Sequence, residues 1–324
     1  MASGHFEFAI LGAGAIGSIL GAHLARSGRS VVMLARGQRA QDIKRLGLRI
    51  RGLVDLTQPV PVLTEPLEFA GADVLIVATK ALGTREALAR FRHARIGVAF
   101  SVQNGLVKND YLADTWGGER VLGAIADTSG ELLSTGETLF TRNEELCIGE
   151  RSGGPGERAR HIAAVIDESG VRTSAVADIQ SLEWSKFAAW AALMVLSVAT
   201  RAATWKYLVD PDLASVLLRL MREMAALAAA HGISLSDRAP LPVSTLVGGS
   251  DAEGVALIQA LGHRFKSNVP EHRMSTLQDL DAGRPLEIEE TLGYAARDAE
   301  RMNLSLPLLQ SLYPLAAGIG RIPS

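Results

Sequence analysis

Phe6-Glu7-Phe8-Ala9-Ile10-Leu11-Gly12-Ala13-Gly14-Ala15-Ile16-Gly17 is the stretch that decides the fold of this chain. Its first six residues form a short apolar run with one polar break, the pattern of a parallel strand buried on both faces. They run directly into a Gly-x-Gly-x-x-Gly turn. Ile16, Leu20, His23 and Leu24 then recur at helical spacing, and Gly28 stops the helix. A second strand, Ser30-Val31-Val32-Met33-Leu34-Ala35, ends at Arg36. Three glycines at this spacing are a common accident by themselves. Between a strand and a helix, inside a βαβ unit of about 30 residues, they are a dinucleotide-binding fingerprint. Gly12 permits the tight turn, Gly14 lets a pyrophosphate approach the backbone, and Gly17 lets the helix pack on the strand. Ala13, Ala15 and Ile16 complete the turn. The helix start then offers free N–H groups and the positive end of its dipole to phosphate.

The end of the second strand reports on the cofactor. An acidic residue there would accept from the ribose 2′-hydroxyl of NAD. Arg36 stands there instead, with Arg39 nearby. A guanidinium matches a 2′-phosphate in charge and geometry, so NADP(H) is expected over NAD. Further strands are expected at Ala72–Thr79, ending in Lys80, and at Ile96–Val102, ending in Gln103-Asn104-Gly105. In a doubly wound sheet ligands bind beyond the carboxyl ends of the strands. Lys80 and Asn104 occupy such ends; a solvated helix cap and an Asn-Gly turn are the plainer readings. Val121–Ile125 and Leu146–Gly149 read as later strands completing the domain, with a helix at Glu157–Asp167 and a last strand at Val171–Ser174.

The length of 324 residues fits two domains. Hydrophobic residues make up 48% and charged residues 21%, as in an ordinary globular protein. A net charge of -2 gives no general attraction for nucleic acid or anionic membrane. A lone cysteine, Cys147, excludes an internal disulfide and a cysteine-based zinc site, and reads as a buried apolar thiol. No metal is expected. No secretory signal is visible ahead of Phe6. The longest apolar run, Phe187–Ala199, is shorter than the roughly 20 residues of a membrane helix. It reads as a core helix of a soluble, cytoplasmic protein, either a monomer or a homodimer.

From about Ser181 onward, alanine, leucine and methionine recur at helical spacing. The hinge is expected near residues 175–182, giving domains 1–178 and 179–324. The cluster Ser152-Gly153-Gly154-Pro155-Gly156 is an alternative boundary. The fold class expected is α/β: an N-terminal Rossmann dinucleotide-binding domain plus an all-helical C-terminal domain. Three polar positions interrupt the apolar C-terminal half: Lys186, which opens the apolar helix, Ser275 and Glu287. Spacing alone reads them as helix-end charges and an N-cap serine.

Gly12-Ala13-Gly14-Ala15-Ile16-Gly17, Arg36, Thr79-Lys80-Ala81, Gln103-Asn104-Gly105, Trp184-Ser185-Lys186, Ser275-Thr276-Leu277-Gln278-Asp279 and Leu286-Glu287-Ile288 together resemble the 2-dehydropantoate 2-reductases, or ketopantoate reductases. That family reduces ketopantoate to pantoate with NADPH, on the way to pantothenate. The resemblance implies roles. Lys186 is the general acid that polarises the ketone of a small 2-oxo acid, and Glu287 supports it. Ser275 binds the carboxylate side of the substrate, and Lys80 and Asn104 face the nicotinamide and the reacting carbonyl. Three positions depart from the pattern: Trp190, Met194 and His272 stand where the family carries substrate-touching asparagines. Ordinary helix core is the plainer reading of Trp190 and Met194. The departures leave room for a reductase of a bulkier 2-oxo acid or another ketone. A dinucleotide-binding sensor without turnover, and a β-hydroxyacid dehydrogenase, are further alternatives.

Overall fold

The computed structural model describes residues 5–154, 156–237 and 241–322; Pro155, in the glycine cluster weighed as a boundary, lies outside them. The chain divides into two compact units. The first holds the residues up to Asn104 together with Lys108–Gln180. The second holds Gly105–Val107 and the residues from Ser181 onward.

In chain order the first unit carries β1 (Phe6–Leu11), α1 (Ala15–Arg26), β2 (Val31–Leu34), α2 (Gly37–Leu46), β3 (Leu48–Gly52), β4 (Leu56–Gln58), β5 (Val62–Leu63), β6 (Gly71–Val77), α3 (Thr84–Ala89), β7 (Arg95–Ser101), α4 (Val107–Trp116), β8 (Leu122–Leu132), β9 (Thr138–Glu150), α5 (Glu157–Glu168) and β10 (Thr173–Ala175). Five of these strands form a parallel sheet in the order β5-β2-β1-β6-β7. Side chains alternate across a strand, so each central strand serves two cores. Phe8, Ile10, Met33, Ile76 and Phe100 enter one of them. Ala9, Leu11, Val32, Leu34, Leu75 and Val77 enter the other. This two-sided burial is why the strands read as unbroken apolar runs.

The remaining strands form a second sheet, β10-β9-β3-β4, with β8 antiparallel to β9. The runs at 121–125 and 146–149, expected to complete the domain as separate strands, are the buried ends of one long hairpin. The hairpin's middle is polar, from Asp127 to Ser129 and from Arg142 to Glu145, and of these residues only Thr128 is buried. It therefore has no apolar signature. α2, β3 and β4 were not anticipated either; of α2 only Ala40 and Ile43 are buried.

His23 joins α1 to the turn after α5. It is buried, its Nδ1 lies 3.0 Å from the Ser169 carbonyl, and its ring meets Phe140 edge-on. Burial pushes its pKa below the ordinary value, the Ser169 bond opposes this, and Arg26 adds to the depression. The unfolded chain therefore takes up the proton first as pH falls below about 6.5. Stability contributed here is intact above that pH and declines between it and the lower folded value. Urea midpoints at pH 7.5 and 5.5 test this: His23→Gln should lose less stability on acidification than the parent. An equal loss in both would remove His23 as the cause.

The second unit is all helical: α6 (Ile179–Thr200), α7 (Thr204–Val209), α8 (Pro211–Ala230), α9 (Val243–Gly248), α10 (Asp251–Asn268), α11 (Ser275–Asp281), α12 (Leu292–Arg301) and α13 (Pro307–Arg321). α6 is longer than its apolar run. By length and composition it could cross a membrane, but 89% of its apolar window is buried inside the protein, so it is a core helix. It packs with α8, whose Leu217, Leu218, Met221 and Met224 are fully buried. Caps define the helix starts. Asp210 accepts from the Leu213 amide, and Ser250 with Glu253 forms a reciprocal box. The Glu223 carboxylate accepts the Leu308 and Leu309 amides at 2.9 and 2.7 Å, anchoring the start of α13 on α8.

Candidate active site

The phosphate turn is built by contact. Gly12 has φ +107°, and a Cβ there would lie 2.7 Å from the Thr79 amide nitrogen. A Cβ at Gly17 would lie 2.1 Å from the Gly12 carbonyl oxygen, so α1 rests directly on the end of β1. Gly14 is different: its Cβ would meet only the Ala78 carbonyl, at 3.8 Å. No side chain caps α1, and its first internal bond runs from the Ser18 amide to the Gly14 carbonyl. Gly12, Gly14, Ala15 and Ile16 are partly exposed, whereas Ala13 and Gly17 are buried. An open backbone at an uncapped helix start fits a pyrophosphate.

Strand register brings the other expected residues of this unit to the same edge. Leu11 is level with Leu34 and Val77, and Val77 with Ser101. Arg36, Lys80 and Asn104 thus follow the carboxyl ends of β2, β6 and β7. Arg36 is exposed and, among the described residues, forms no hydrogen bond or ion pair within the chain. It caps α2 with its backbone only, which leaves its guanidinium and the uncapped α2 start together. That combination fits a 2′-phosphate. Lys80 is exposed and Asn104 half-buried.

Three further residues support this edge: Gln103, read only as part of its tripeptide, Arg39, read only as a neighbour of Arg36, and Lys108, not read at all. Gln103 is buried; its Nε2 donates to the Thr79 and Thr84 hydroxyls and to the Lys80 carbonyl, and its Oε1 accepts from Ser101. The buried Lys108 donates to the carbonyls of Gln103 (3.1 Å) and Ala124 (2.5 Å). Arg39 does not share the setting of Arg36: it turns inward, donating to Ala13, Ser18 and Gly136. Burial pulls its pKa below the usual arginine value, Asp42 opposes this, and Arg49 adds to it. Only the Gln103-Asn104-Gly105 tripeptide carried a local signal; Lys108 and Arg39 look like surface residues until the fold is known.

In the second unit, Lys186 lies well inside α6 rather than opening it. Of the described residues from Ser181 to Val198, Lys186 alone is not buried. Trp190 and Met194 follow at four-residue steps on the same helix face and are buried, 8% and 0% exposed, within the unit's core. Glu287, half-buried, is in a turn ahead of α12 and not at a helix end. The buried Thr291 hydroxyl donates to the Glu287 carbonyl at 2.5 Å and touches Met194 Sδ at 4.0 Å, which sets this turn against α6. Ser275 is the first residue of α11 and is exposed; Met274, not the serine, is the N-cap. Leu277 and Leu280 hold α11 on Val198 of α6. The turn of Glu287 and the helix of Ser275 therefore both pack on the helix of Lys186. His272 meets α7 and α10: its Nδ1 lies 2.9 Å from the Thr204 hydroxyl and its ring meets Phe265. The buried Tyr207, its pKa pushed up to about 12 by desolvation, donates to the same Thr204 hydroxyl.

Comparison with known proteins finds likeness along most of the chain. The family described as ketopantoate reductase PanE/ApbA matches residues 8–153, and its C-terminal family matches residues 178–320. A 2-dehydropantoate 2-reductase of Archaeoglobus fulgidus is 27% identical over 310 residues, covering 96% of each chain. One from Mycobacterium tuberculosis is 29% identical over 315 residues, covering 95% of this chain and 96% of its own. The crystal structure of 2-dehydropantoate 2-reductase from Methylococcus capsulatus superposes with a TM-score of 0.80 at 25% identity, covering 98% of both chains. A D-mandelate dehydrogenase with NADH and anilino(oxo)acetate reaches 0.82 at 19% identity, over 97% of this chain and 98% of its own, a likeness of fold alone. The chain belongs to the ketopantoate reductase family of nicotinamide-dinucleotide-dependent oxidoreductases.

Proposed function

We propose that this chain reduces 2-dehydropantoate to pantoate with NADPH, a step of pantothenate biosynthesis. One observation carries the reading of the site. In a long stretch of buried helix a single position keeps part of its surface, and it is a lysine, Lys186. A cation that keeps part of its surface open, on a helix whose other side chains from Ser181 to Val198 are packed away, is available to a ligand; the charge three residues before it, Glu183, is buried. The full-length relatives named for this reaction support the substrate.

The backbone at Gly12–Gly17 holds the pyrophosphate, and Arg36 takes the 2′-phosphate. Lys80 and Asn104, beyond β6 and β7, face the nicotinamide end. A bound reduced nicotinamide supplies the hydride for the ketone carbon. As the carbonyl oxygen gains negative charge, the Lys186 ammonium stabilises it and then delivers a proton from Nζ to that oxygen. Glu287 orients the lysine, and Ser275 donates to the substrate carboxylate. Trp190, Met194 and His272 stand at positions where asparagines would touch the substrate. The first two favour a second reading, a bulkier or more apolar 2-oxo acid, which a substrate panel separates from the first.

The test is NADPH oxidation with ketopantoate, with NADH in parallel. NADPH is expected to be strongly preferred. Arg36→Ala should raise the NADPH Kd about tenfold or more and leave NADH unchanged, because one charge-assisted phosphate contact is lost. Equal effects on both cofactors would remove Arg36 from the 2′-phosphate.

A further inference from the structure

The geometry points to Arg39 as a positioning residue that sets the dinucleotide phosphate turn by gripping the Ala13 peptide, without itself contacting the 2′-phosphate. Its fork meets three acceptors on two chain segments, the Ala13–Ser18 turn and the β8–β9 hairpin tip. Nε donates to the Ala13 carbonyl at 3.0 Å, Nη2 to the Ser18 hydroxyl at 2.9 Å, and Nη1 to the Gly136 carbonyl at 2.6 Å. Ala13 lies in the turn, Ser18 in the first turn of α1, and Gly136 at the tip of the β8–β9 hairpin. Ser18 is itself fully buried and donates back to the Ala13 carbonyl at 3.3 Å.

The consequence follows from peptide planarity. In a trans peptide the carbonyl and the following N–H point in opposite directions. Holding the Ala13 carbonyl from one side therefore aims the Gly14 N–H to the other. Gly14 is the position whose surroundings are open. A charged donor on the Ala13 oxygen also polarises that peptide and strengthens its N–H as a donor. Arginine is needed because lysine has no planar fork and cannot hold three separate acceptors on two segments in this geometry. The anchored hairpin tip is braced a second time: Arg49 donates to the Thr135 carbonyl and pairs with Glu137. The grip thus has a fixed base. The two arginines near the end of β2 divide the work, Arg36 outward and Arg39 inward.

This inference rests on the dinucleotide reading above, and the experiment separates the two. Kd values for NADPH and NADH are measured by fluorescence titration on folded protein, well below the melting temperature, for the parent, Arg39→Met, Arg39→Lys and Ser18→Ala. Arg39→Met should weaken NADPH and NADH by the same factor, about tenfold, leaving their ratio as in the parent. Arg39→Lys should fall between, and Ser18→Ala should weaken both cofactors by a smaller common factor. If Arg39→Met weakens NADPH alone, Arg39 is a second 2′-phosphate ligand and the inference is overturned. If it lowers the melting temperature but leaves both Kd values unchanged, Arg39 is a structural brace and the inference is equally overturned. Should Arg39→Met not fold, the lysine and Ser18 variants decide by the same ratio. A parent that binds neither dinucleotide refutes the cofactor reading itself.

Discussion

Lys186→Ala is expected to lower kcat by about 10²–10⁴-fold, the usual worth of a positioned general acid, while the NADPH Kd stays near that of the parent. The reasoning starts from α6. Nearly every side chain of this helix from Ser181 to Val198 is buried, and Lys186 alone retains exposure. Its removal takes away the group proposed to meet the developing oxyanion, an interaction that strengthens only as charge develops. The loss should therefore fall on kcat rather than on cofactor affinity. Truncation to alanine also deletes a methylene stem that covers apolar surface. Lys186→Met keeps the stem and removes the charge, so it should show the same kinetic loss at higher stability. Steady-state rates with saturating NADPH and varied 2-oxo acid make the measurement. Turnover near that of the parent in either variant would take Lys186 out of the chemistry.

The second large effect comes from two glycines three residues apart. Gly17→Ala places a Cβ 2.1 Å from a backbone oxygen of Gly12 and 3.1 Å from Ala78 Cβ. Backbone cannot yield as a side chain can, so α1 must lift off β1. Overpacking of this kind costs up to about 3 kcal/mol or more, which in a domain of this size lowers the melting temperature by roughly 10 °C. Gly14→Ala meets nothing closer than 3.8 Å. It should melt like the parent, yet its methyl group occupies the space into which a pyrophosphate comes. Dinucleotide affinity should fall at least about tenfold in both variants, with stability lost only in the first. Normal NADPH binding by Gly14→Ala would place the phosphates elsewhere.

The two outcomes differ because the turn has a packed side at Gly17 and an open side at Gly14, and the glycine spacing gives a steric reason for each. Much of the rest was legible for a similar reason. β1, β2, β6 and β7 are buried on both faces and leave continuous apolar runs, from which the α/β fold followed; the helical C-terminal region followed from alanine, leucine and methionine at helical spacing. α2 and the middle of the β8–β9 hairpin bury few side chains, so their residues resemble loops. Among candidate site residues, the place of Arg36 was legible because it directly follows a buried apolar strand. Arg39 was not, because three residues further along a helix the side chain has turned from solvent to the core edge. Glu287 and Ser275 were read at helix ends. They sit in a turn and inside a first helical turn, since Thr291 and Met274 take the roles that would have placed them there.

The division of the chain into its two units bears on how the protein can be taken apart. The polypeptide passes from one unit to the other three times, because Gly105–Val107 is allotted to the second unit while its neighbours on both sides belong to the first. Leu106, in that insert, is buried and shares the second unit's apolar core with α6 and α8. A fragment beginning at Ser181 consequently lacks one of its own core side chains. Its vacancy is comparable to a large-to-small core substitution, about 2–5 kcal/mol. Domain shuffling by a single crossover, in the laboratory or in a genome, would exchange an incomplete part. The helical half is inherited together with a three-residue loop encoded some seventy-five codons upstream.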